Sequence, residues 1–144
     1  MNLLQMCDEV SATVTPETSV ADAIQLMLDR RVGAVAVLDA ERRVAGIFTE
    51  RDVLRKISLS GRDPRGVSVD EVMTRAVELG TPETGAGEAL AAMVDSHYRH
   101  LPIVDKDGRL LGMLSIRNLL QARIDELTHQ LDAQDQYAND SPGG

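Results

Sequence analysis

The chain repeats itself at a fixed spacing of 66 residues, and this repeat limits its fold more than any other feature. Residues 15–24 read TPETSVADAI, and residues 81–90 read TPETGAGEAL. The heptapeptide GIFTERD at residues 46–52 aligns with GMLSIRN at residues 112–118, and no gap is needed between the two matches. A gapless match of this extent indicates two copies of one structural unit. Such copies usually pack together around a pseudo-two-fold axis.

Each copy is predicted to contain a weak leading strand, a helix, two strands and a second helix. The leading strands fall near residues 12–14 and 76–79. The motif Thr-Pro-Glu-Thr should open the first helix, since Pro and hydroxyl side chains suit a helix start. The second helix should begin at Thr49 or Ser115. Apolar residues at helical spacing give the first helix of each copy one apolar face: Val20, Ile24, Met27 and Leu28, and then Ala86, Leu90, Met93 and Val94.

This pattern predicts an α+β protein in which two repeats pack through three-stranded sheets, with the helices outside. We place the first repeat in residues 1–60, the second in residues 61–131, and a polar, disordered tail in residues 132–144. The linker SLSGRDPRG at residues 58–66 is rich in Gly and polar residues. The last helix continues an apolar stripe that indicates core or a dimer contact and not a membrane face: Leu120, Ile124, Leu127 and Leu131.

Composition excludes several functional classes. The net charge of −8 disfavours binding to nucleic-acid backbones or anionic membranes. Aromatic residues make up only 2% of the 144 residues, too few for stacking single-stranded bases. Cys7 is the only cysteine, so we expect no intrachain disulfide and treat it as an apolar filler in preference to a redox sensor. Without a signal peptide or a long apolar run, the expected location is the cytoplasm.

The repeated heptapeptide has two interpretations. In the first, Thr49 and Asp52 form a capping box, in which the hydroxyl and carboxylate satisfy backbone amides at a helix start. The second copy weakens this interpretation, because Asn118 is a poorer partner for an amide than a carboxylate.

In the second interpretation the heptapeptide binds a nucleotide. Gly46 and Gly112 lie inside strands, where Gly weakens the strand unless something approaches closely. The hydroxyl stands at a helix N-terminus, which attracts anions. A carboxylate one turn later can accept hydrogen bonds from ribose, while Arg51 and Arg117 can neutralise phosphate.

The paired motif resembles the cystathionine-β-synthase (CBS) domain. Val-Met-Thr at residues 72–74 and HYRHLPIVD at residues 97–105 also resemble that family, over about residues 8–125. The resemblance implies a Bateman module that binds AMP, ADP, ATP or S-adenosylmethionine reversibly in up to two clefts between the repeats, with no covalent cofactor. In it the hydroxyl contacts phosphate and the acidic residue contacts ribose.

The resemblance also assigns residues to the two clefts. The first cleft would use Thr49, Arg51, Asp52, Met73, Thr74, Arg75, Arg99, His100 and Leu101. The second cleft would use Gly33, Ala34, Val35, Ser115, Arg117 and Asn118. We expect the first cleft to carry more positive charge and to bind more tightly. The second is expected to be weak, empty or selective for another ligand, because it has Asn118 for Asp52.

These observations predict a regulatory, non-enzymatic homodimer that signals to an effector protein in trans. No activated nucleophile, P-loop or metal-ligand cluster is evident, and His97 with His100 lacks a third ligand. Two alternatives stay open: a structural dimerisation module with degenerate clefts, and a sensor of S-adenosylmethionine or NAD(H). Ligand-induced thermal stabilisation separates the sensors from the structural module.

Overall fold

The computed structural model describes residues 2–7 and 12–139, and the side chains within them up to residue 133. A short N-terminal helix comes first: α1 (Leu3–Met6). The elements of the first repeat are β1 (Thr13–Val14), α2 (Val20–Arg30), β2 (Ala34–Leu38), β3 (Val44–Thr49) and α3 (Glu50–Asp52). Those of the second repeat are α4 (Ala86–Ser96), β4 (His100–Val104), β5 (Leu110–Ser115) and α5 (Ile116–Asn139). This mixture of helices and small sheets confirms the predicted α+β class.

The two repeats have sheets of different size. In the first, β1 pairs with β2 in parallel and β2 pairs with β3 in antiparallel. In the second, β4 and β5 form an antiparallel pair, and only one bridge, Gly80 to Ile103, stands where a leading strand was expected. Ala36 donates its amide to Ala12 in the first repeat, but its equivalent is Pro102, which has no amide hydrogen. The prediction of two three-stranded sheets was therefore wrong for the second repeat.

The Thr-Pro-Glu-Thr motif forms a turn ahead of each helix. The amide of Thr15 donates to the hydroxyl of Thr18 at 3.1 Å, and the equivalent bond in the second repeat measures 3.0 Å. α2 and α4 begin only after the N-caps Ser19 and Gly85. The prediction that this motif opens the helix was wrong because its hydroxyls are used within the turn.

Each core is completed by a segment from the N-terminal part of the other repeat. Residues 69–73, near the start of the second repeat, supply Val69, Val72 and Met73 to the core of the first. Residues 3–7, near the start of the first repeat, supply Leu3 and Met6 to the core of the second, with Cys7 packed against it. We call residues 3–7 and 69–73 the entry segments. The division of the molecule by packing therefore differs from the division along the chain at residues 60 and 61.

The entry segments obey the same 66-residue spacing as the rest of the chain. Asn2 and Gln5 form a capping box at the start of α1. Ser68 and Glu71 form another around the 3-10 turn Val69–Glu71. Equivalent local structure at equivalent positions shows that the repeat begins earlier than sequence identity reveals.

The β-hairpins of the two repeats meet in a reciprocal contact. The amide of Val44 donates to the carbonyl of Gly108 at 3.3 Å, and the amide of Leu110 donates to the carbonyl of Arg42 at 3.2 Å. Shifting either bond by 66 residues produces the other. A contact that maps onto itself in this way is the signature of a two-fold relation.

Several apolar residues of the predicted stripes are exposed. Leu28 is 66% exposed and Val94 is 57% exposed, while Ala23 and Ala89 take the buried positions on α2 and α4. The stripe on α5 is also exposed in the single chain: Leu120, Ile124, Leu127 and Leu131. It is therefore not core, which leaves the dimer contact as its predicted role.

α5 also continues past the predicted start of the disordered tail. It runs to Asn139 without interruption by Pro or Gly, which first occur at Pro142 and Gly143. Residues 140–144 lie outside the described part of the chain. Within that described part, no helix is both long and apolar enough to cross a membrane.

Candidate functional site

A cavity of about 1120 Å³ lies between the repeats at the start of α3. β3 and α3 of the first repeat form one wall, and the end of α4 with the start of β4 forms the opposite wall. It contains Thr49, Arg51, Asp52, Thr74, Arg99 and His100 of the predicted first cleft. The fold therefore brings six of the nine predicted residues to one cavity.

Three predicted residues of the first cleft do not line this cavity. Met73 and Leu101 are buried in the two hydrophobic cores. Arg75 is exposed and forms an ion pair with Asp70, with 2.6 Å between Nη2 and Oδ1. These side chains belong to core packing and to a surface turn.

Asp52 is buried on the cavity wall and accepts several hydrogen bonds. Its Oδ2 accepts from the amide of Thr49 at 3.0 Å and from the hydroxyl of Thr49 at 3.3 Å. Its Oδ1 accepts from the hydroxyl of Thr74 at 3.3 Å and lies 3.1 Å from Nζ of Lys56. The capping box is thus present, because the amide of Asp52 also donates to the Thr49 hydroxyl at 3.2 Å. Asp52 therefore caps the start of α3 and also lines the cavity, so the two interpretations of the motif are compatible.

The first cleft also contains two cationic residues that the sequence motifs did not predict. Arg55 and Lys56 line the cavity from the π-helical turn Val53–Ile57 that follows α3. The i→i+5 winding of a π-helix places side chains differently from an α-helix, and such turns are frequent at functional sites. No feature of the sequence predicted this winding. The other missed lining residues with polar side chains are Glu50, Ser96, His97 and Tyr98.

A second cavity of about 500 Å³ occupies the pseudo-symmetric position at the start of α5. It contains Gly33, Ala34, Ser115, Arg117 and Asn118 as predicted, whereas Val35 is buried in the first core. The Ser115 hydroxyl accepts the amide of Asn118 at 3.0 Å, as Thr49 does for Asp52. Arg31, Gln121 and His100 were not predicted to line it, and His100 borders both cavities.

Both cavities are cationic in an acidic protein. The first is lined by four Lys or Arg side chains and two carboxylates, and the second by Arg31 and Arg117 with no carboxylate among its described lining residues. The surplus of positive formal charge is therefore the same in both. The expectation that the first cleft carries the greater positive charge was wrong, because Glu50 and Asp52 offset two of its cations. Cation-lined clefts in a chain of net charge −8 favour anionic ligands.

The glycines inside the strands make room for protein and not for a ligand. A Cβ at Gly46 would lie 2.7 Å from the carbonyl oxygen of Thr74 and 2.9 Å from the sulfur of Met73. A Cβ at Gly112 would lie 3.0 Å from the sulfur of Cys7. The group that approaches Gly112 closely is thus one entry segment, through Cys7. The groups that approach Gly46 are the other entry segment, through Met73, and the next residue, Thr74. The packing of Cys7 on Gly112 agrees with its predicted role as an apolar filler.

Among the described residues, no group of three His, Cys, Asp or Glu side chains could hold a metal ion. His97 and His100 both border the first cavity. The carbonyl of His97 accepts a hydrogen bond from Arg51 at 3.4 Å. The residues of this site are thus suited to hydrogen bonding and charge neutralisation.

Comparison with known proteins identifies the family. The family model described as "CBS domain" matches residues 6–59 and again residues 69–125. The chain belongs to the CBS domain family. It contains a tandem pair of CBS repeats, which confirms the resemblance noted in the sequence.

Relatives of known structure share this fold over most of their length. A protein with CBS domains from Burkholderia ambifaria MC40-6 is 35% identical, with a TM-score of 0.79 over 87% of this chain and 95% of that chain. The structure of CBSX2 in complex with AMP is 26% identical, with a TM-score of 0.77 over 86% of this chain and 97% of that chain.

Sequence relatives also match over most of this chain. A 17.7 kDa protein from Acidianus ambivalens is 38% identical over 117 residues, which span 81% of this chain and 70% of that protein.

Proposed function

We propose that this CBS pair is a non-catalytic regulatory module that binds an adenine nucleotide of the AMP, ADP or ATP class in the first cleft. The observation that carries the proposal is the position of Asp52. It is a carboxylate 6% exposed on the wall of a cavity that also holds four cationic side chains. A carboxylate can accept hydrogen bonds from vicinal hydroxyls, and cations can hold phosphate. Ribose and phosphate together are the chemistry that this pairing suits.

We assign a role to each part of the proposed site. The Thr49 hydroxyl and the start of α3 would face the phosphate, with Arg51 and Arg55 neutralising its charge. Asp52 would contact the ribose, and the apolar side chains of Ile47 and Val77 would adjoin the base. The smaller second cleft would bind the same ligand more weakly, since Asn118 lacks the charge of Asp52.

The relative CBSX2, whose structure contains AMP, supports the proposed ligand class. Two alternatives correspond to different outcomes of a binding experiment. A sensor of S-adenosylmethionine or NAD(H) would respond to those ligands and not to AMP, ADP or ATP. A structural module with degenerate clefts would respond to none of them.

Thermal unfolding with each ligand tests the proposal. A ligand that binds only the native state at about one hundred times its Kd should raise the melting temperature by about 9 °C. We expect this rise with at least one of AMP, ADP and ATP, and we expect Asp52→Ala to abolish it. Asp107→Ala is the control, because it removes an exposed carboxylate far along the chain in the second hairpin. The proposal fails if no adenine nucleotide shifts the folded wild-type protein.

We further propose that the module acts as a cytoplasmic homodimer and signals to an effector protein in trans. The exposed stripe on α5 is the surface best suited to the dimer contact. Ile124 and Leu127 lie at its centre and are 56% and 52% exposed, and they recur at the spacing of a helix-pairing face.

Light scattering after size-exclusion chromatography tests the dimer. Ile124→Glu would place a charge in the stripe and should convert a dimer to a monomer. Leu59→Glu is the control, since Leu59 is 97% exposed in the linker and lies outside the stripe. A wild-type protein that is monomeric, or an Ile124→Glu variant that stays dimeric, contradicts this assignment.

A further inference from the structure

Lys56 contacts both the buried carboxylate of Asp52 in the first cleft and the entry segment at residues 69–73. Its Nζ lies 3.1 Å from Oδ1 of Asp52 and donates to the carbonyl of Val72 at 2.7 Å. The Lys56 side chain is 40% exposed, whereas the Asp52 side chain is 8% exposed. Lys56 is therefore the partner of this ion pair that solvent reaches more easily.

The carboxylate of Asp52 is crowded by three hydrogen-bond donors and by the ammonium group of Lys56. A carboxylate offers about four lone-pair sites. The amide and hydroxyl of Thr49 donate to Oδ2, the hydroxyl of Thr74 donates to Oδ1, and Lys56 forms an ion pair with Oδ1. A ribose hydroxyl that donates to Asp52 would compete with these groups.

Lys56 is easier to displace from Asp52 than the two donors of Thr49. The bonds from Thr49 are part of the capping box that starts α3, so losing them would cost helix stability. The lysine end of the ion pair is half-exposed, so water screens its charge and the side chain loses entropy when it is held there. Its long flexible stem also lets the ammonium group move without any change in the backbone.

We propose that Lys56 makes the first cleft require a phosphate on its ligand. When ribose takes the place of Lys56 at Asp52, the ammonium group loses its carboxylate partner. A nucleotide replaces that partner with a phosphate oxygen, whereas a nucleoside leaves the ammonium group with the carbonyl of Val72 and water. The cleft should therefore discriminate AMP from adenosine by more than the direct phosphate contacts of Arg51 and Arg55. This inference depends on the proposed function and names a specificity-determining residue within it.

The second repeat lacks this arrangement. Ala122 and Asn118 occupy the positions equivalent to Lys56 and Asp52. Residues 119–123 also form regular α-helix in α5, where the first repeat has the π-helical turn. Phosphate discrimination of this kind should belong to the first cleft alone.

Equilibrium binding of AMP and adenosine to the full chain tests the inference. In the wild-type protein AMP should bind more tightly than adenosine. In Lys56→Met the ratio of the two affinities should fall by about tenfold, the effect of one lost hydrogen bond to a charged group. AMP should bind more weakly, and adenosine should bind as well as before or better. Lys56→Arg should retain the wild-type ratio, and so should Lys106→Met, which removes the only other lysine, an exposed one.

The failure of this inference can be told apart from that of the proposed function. If Lys56→Met weakens AMP and adenosine by the same factor, Lys56 only orders Asp52, and the inference is wrong while nucleotide binding stands. The same holds if the wild-type protein binds both ligands equally. If the folded wild-type protein binds neither AMP, ADP nor ATP, the proposed function fails and this inference with it.

Discussion

The two clefts share one backbone plan but differ in the side chains that enter them. Thr49 and Ser115 cap equivalent helices with the same hydrogen bond to the amide three residues later. One turn further, the first cleft has Arg55 and the second has Gln121. The pair Asp52 and Lys56 becomes Asn118 and Ala122. The capping hydroxyl and the arginine at positions 51 and 117 are thus retained in both clefts, whereas three other lining positions of the first cleft have changed: Asp52, Arg55 and Lys56.

The two clefts differ in the types of side chain that line them more than in their formal charge. Each cavity has the same surplus of cations, yet only the first adds buried carboxylate chemistry to it. A site without a carboxylate can attract an anion, but it has weaker means of selecting a ribose. Carboxylate groups and positive charge are thus distributed differently between the two cavities.

The largest difference between the repeats is expected at the strand glycines. Gly46→Ala should lower the free energy of unfolding by about 3 kcal/mol, because its Cβ would overlap a backbone oxygen that cannot move alone. Gly112→Ala should cost about 1 kcal/mol, because its closest neighbour is the side chain of Cys7. Urea unfolding measures both values.

A control at an unrestricted glycine separates crowding from other effects of alanine. Gly87→Ala adds a Cβ with no heavy atom within 4 Å on α4 and should not destabilise the protein. Equal losses at Gly46 and Gly112 would contradict the account of the two entry segments.

A smaller change should make the second cleft more like the first. Asn118→Asp restores a carboxylate one turn into α5 and should strengthen nucleotide binding there about tenfold, since charged hydrogen bonds are the stronger ones. Calorimetric titration should show one tight site in the wild-type protein and a second, stronger phase in the variant. Equal wild-type affinities at both clefts would reject the proposed order of the sites.

The smallest effect concerns the hairpin of the second repeat. The amide of Arg109 donates to Asp105 and, as the largest cause, lowers the pKa of that carboxyl below its usual value of 3.8. A lowered pKa in the folded state gives stability that is present above the unfolded value and lost as the pH falls through the folded value.

Thermal unfolding between pH 5 and about pH 2 measures this contribution. Stability of the wild-type protein should fall more steeply than that of Asp105→Asn over this window. The difference should be small because the group is fully exposed. Asp107→Asn removes a charge from the same loop and serves as the control, and an identical slope in wild type and Asp105→Asn would contradict the assignment.

Much of the fold could be predicted from the sequence because short stretches of each repeat determine where its helices and turns begin. The helix starts at Thr49 and Ser115 follow from hydroxyl residues ahead of apolar spacing. The second hairpin follows from Asp107-Gly108, and Gly108 indeed has a positive φ of 84°. These features depend on few neighbours along the chain.

The features that were missed depend on contacts between distant parts of the chain. Leu3 and Val69 are equivalent positions of the 66-residue repeat, and so are Met6 and Val72. The residues of each pair are both apolar but not identical, so sequence identity could not reveal the entry segments. Leu28 has the spacing of a core residue, yet helix packing leaves it exposed. In the site, the hydroxyls and Asp52 were found because they recur in a motif. Lys56 was not found, because its position depends on a π-helical turn that no motif records.

Synthesis on the ribosome must complete the two cores in an interlaced order. α1 emerges first, but it packs on β5 and α5, which are made last. The first repeat cannot close its core until residues 69–73 have emerged, after the linker. Neither repeat therefore contains the whole of its own core, so each can finish folding only when the entry segment of the other is present.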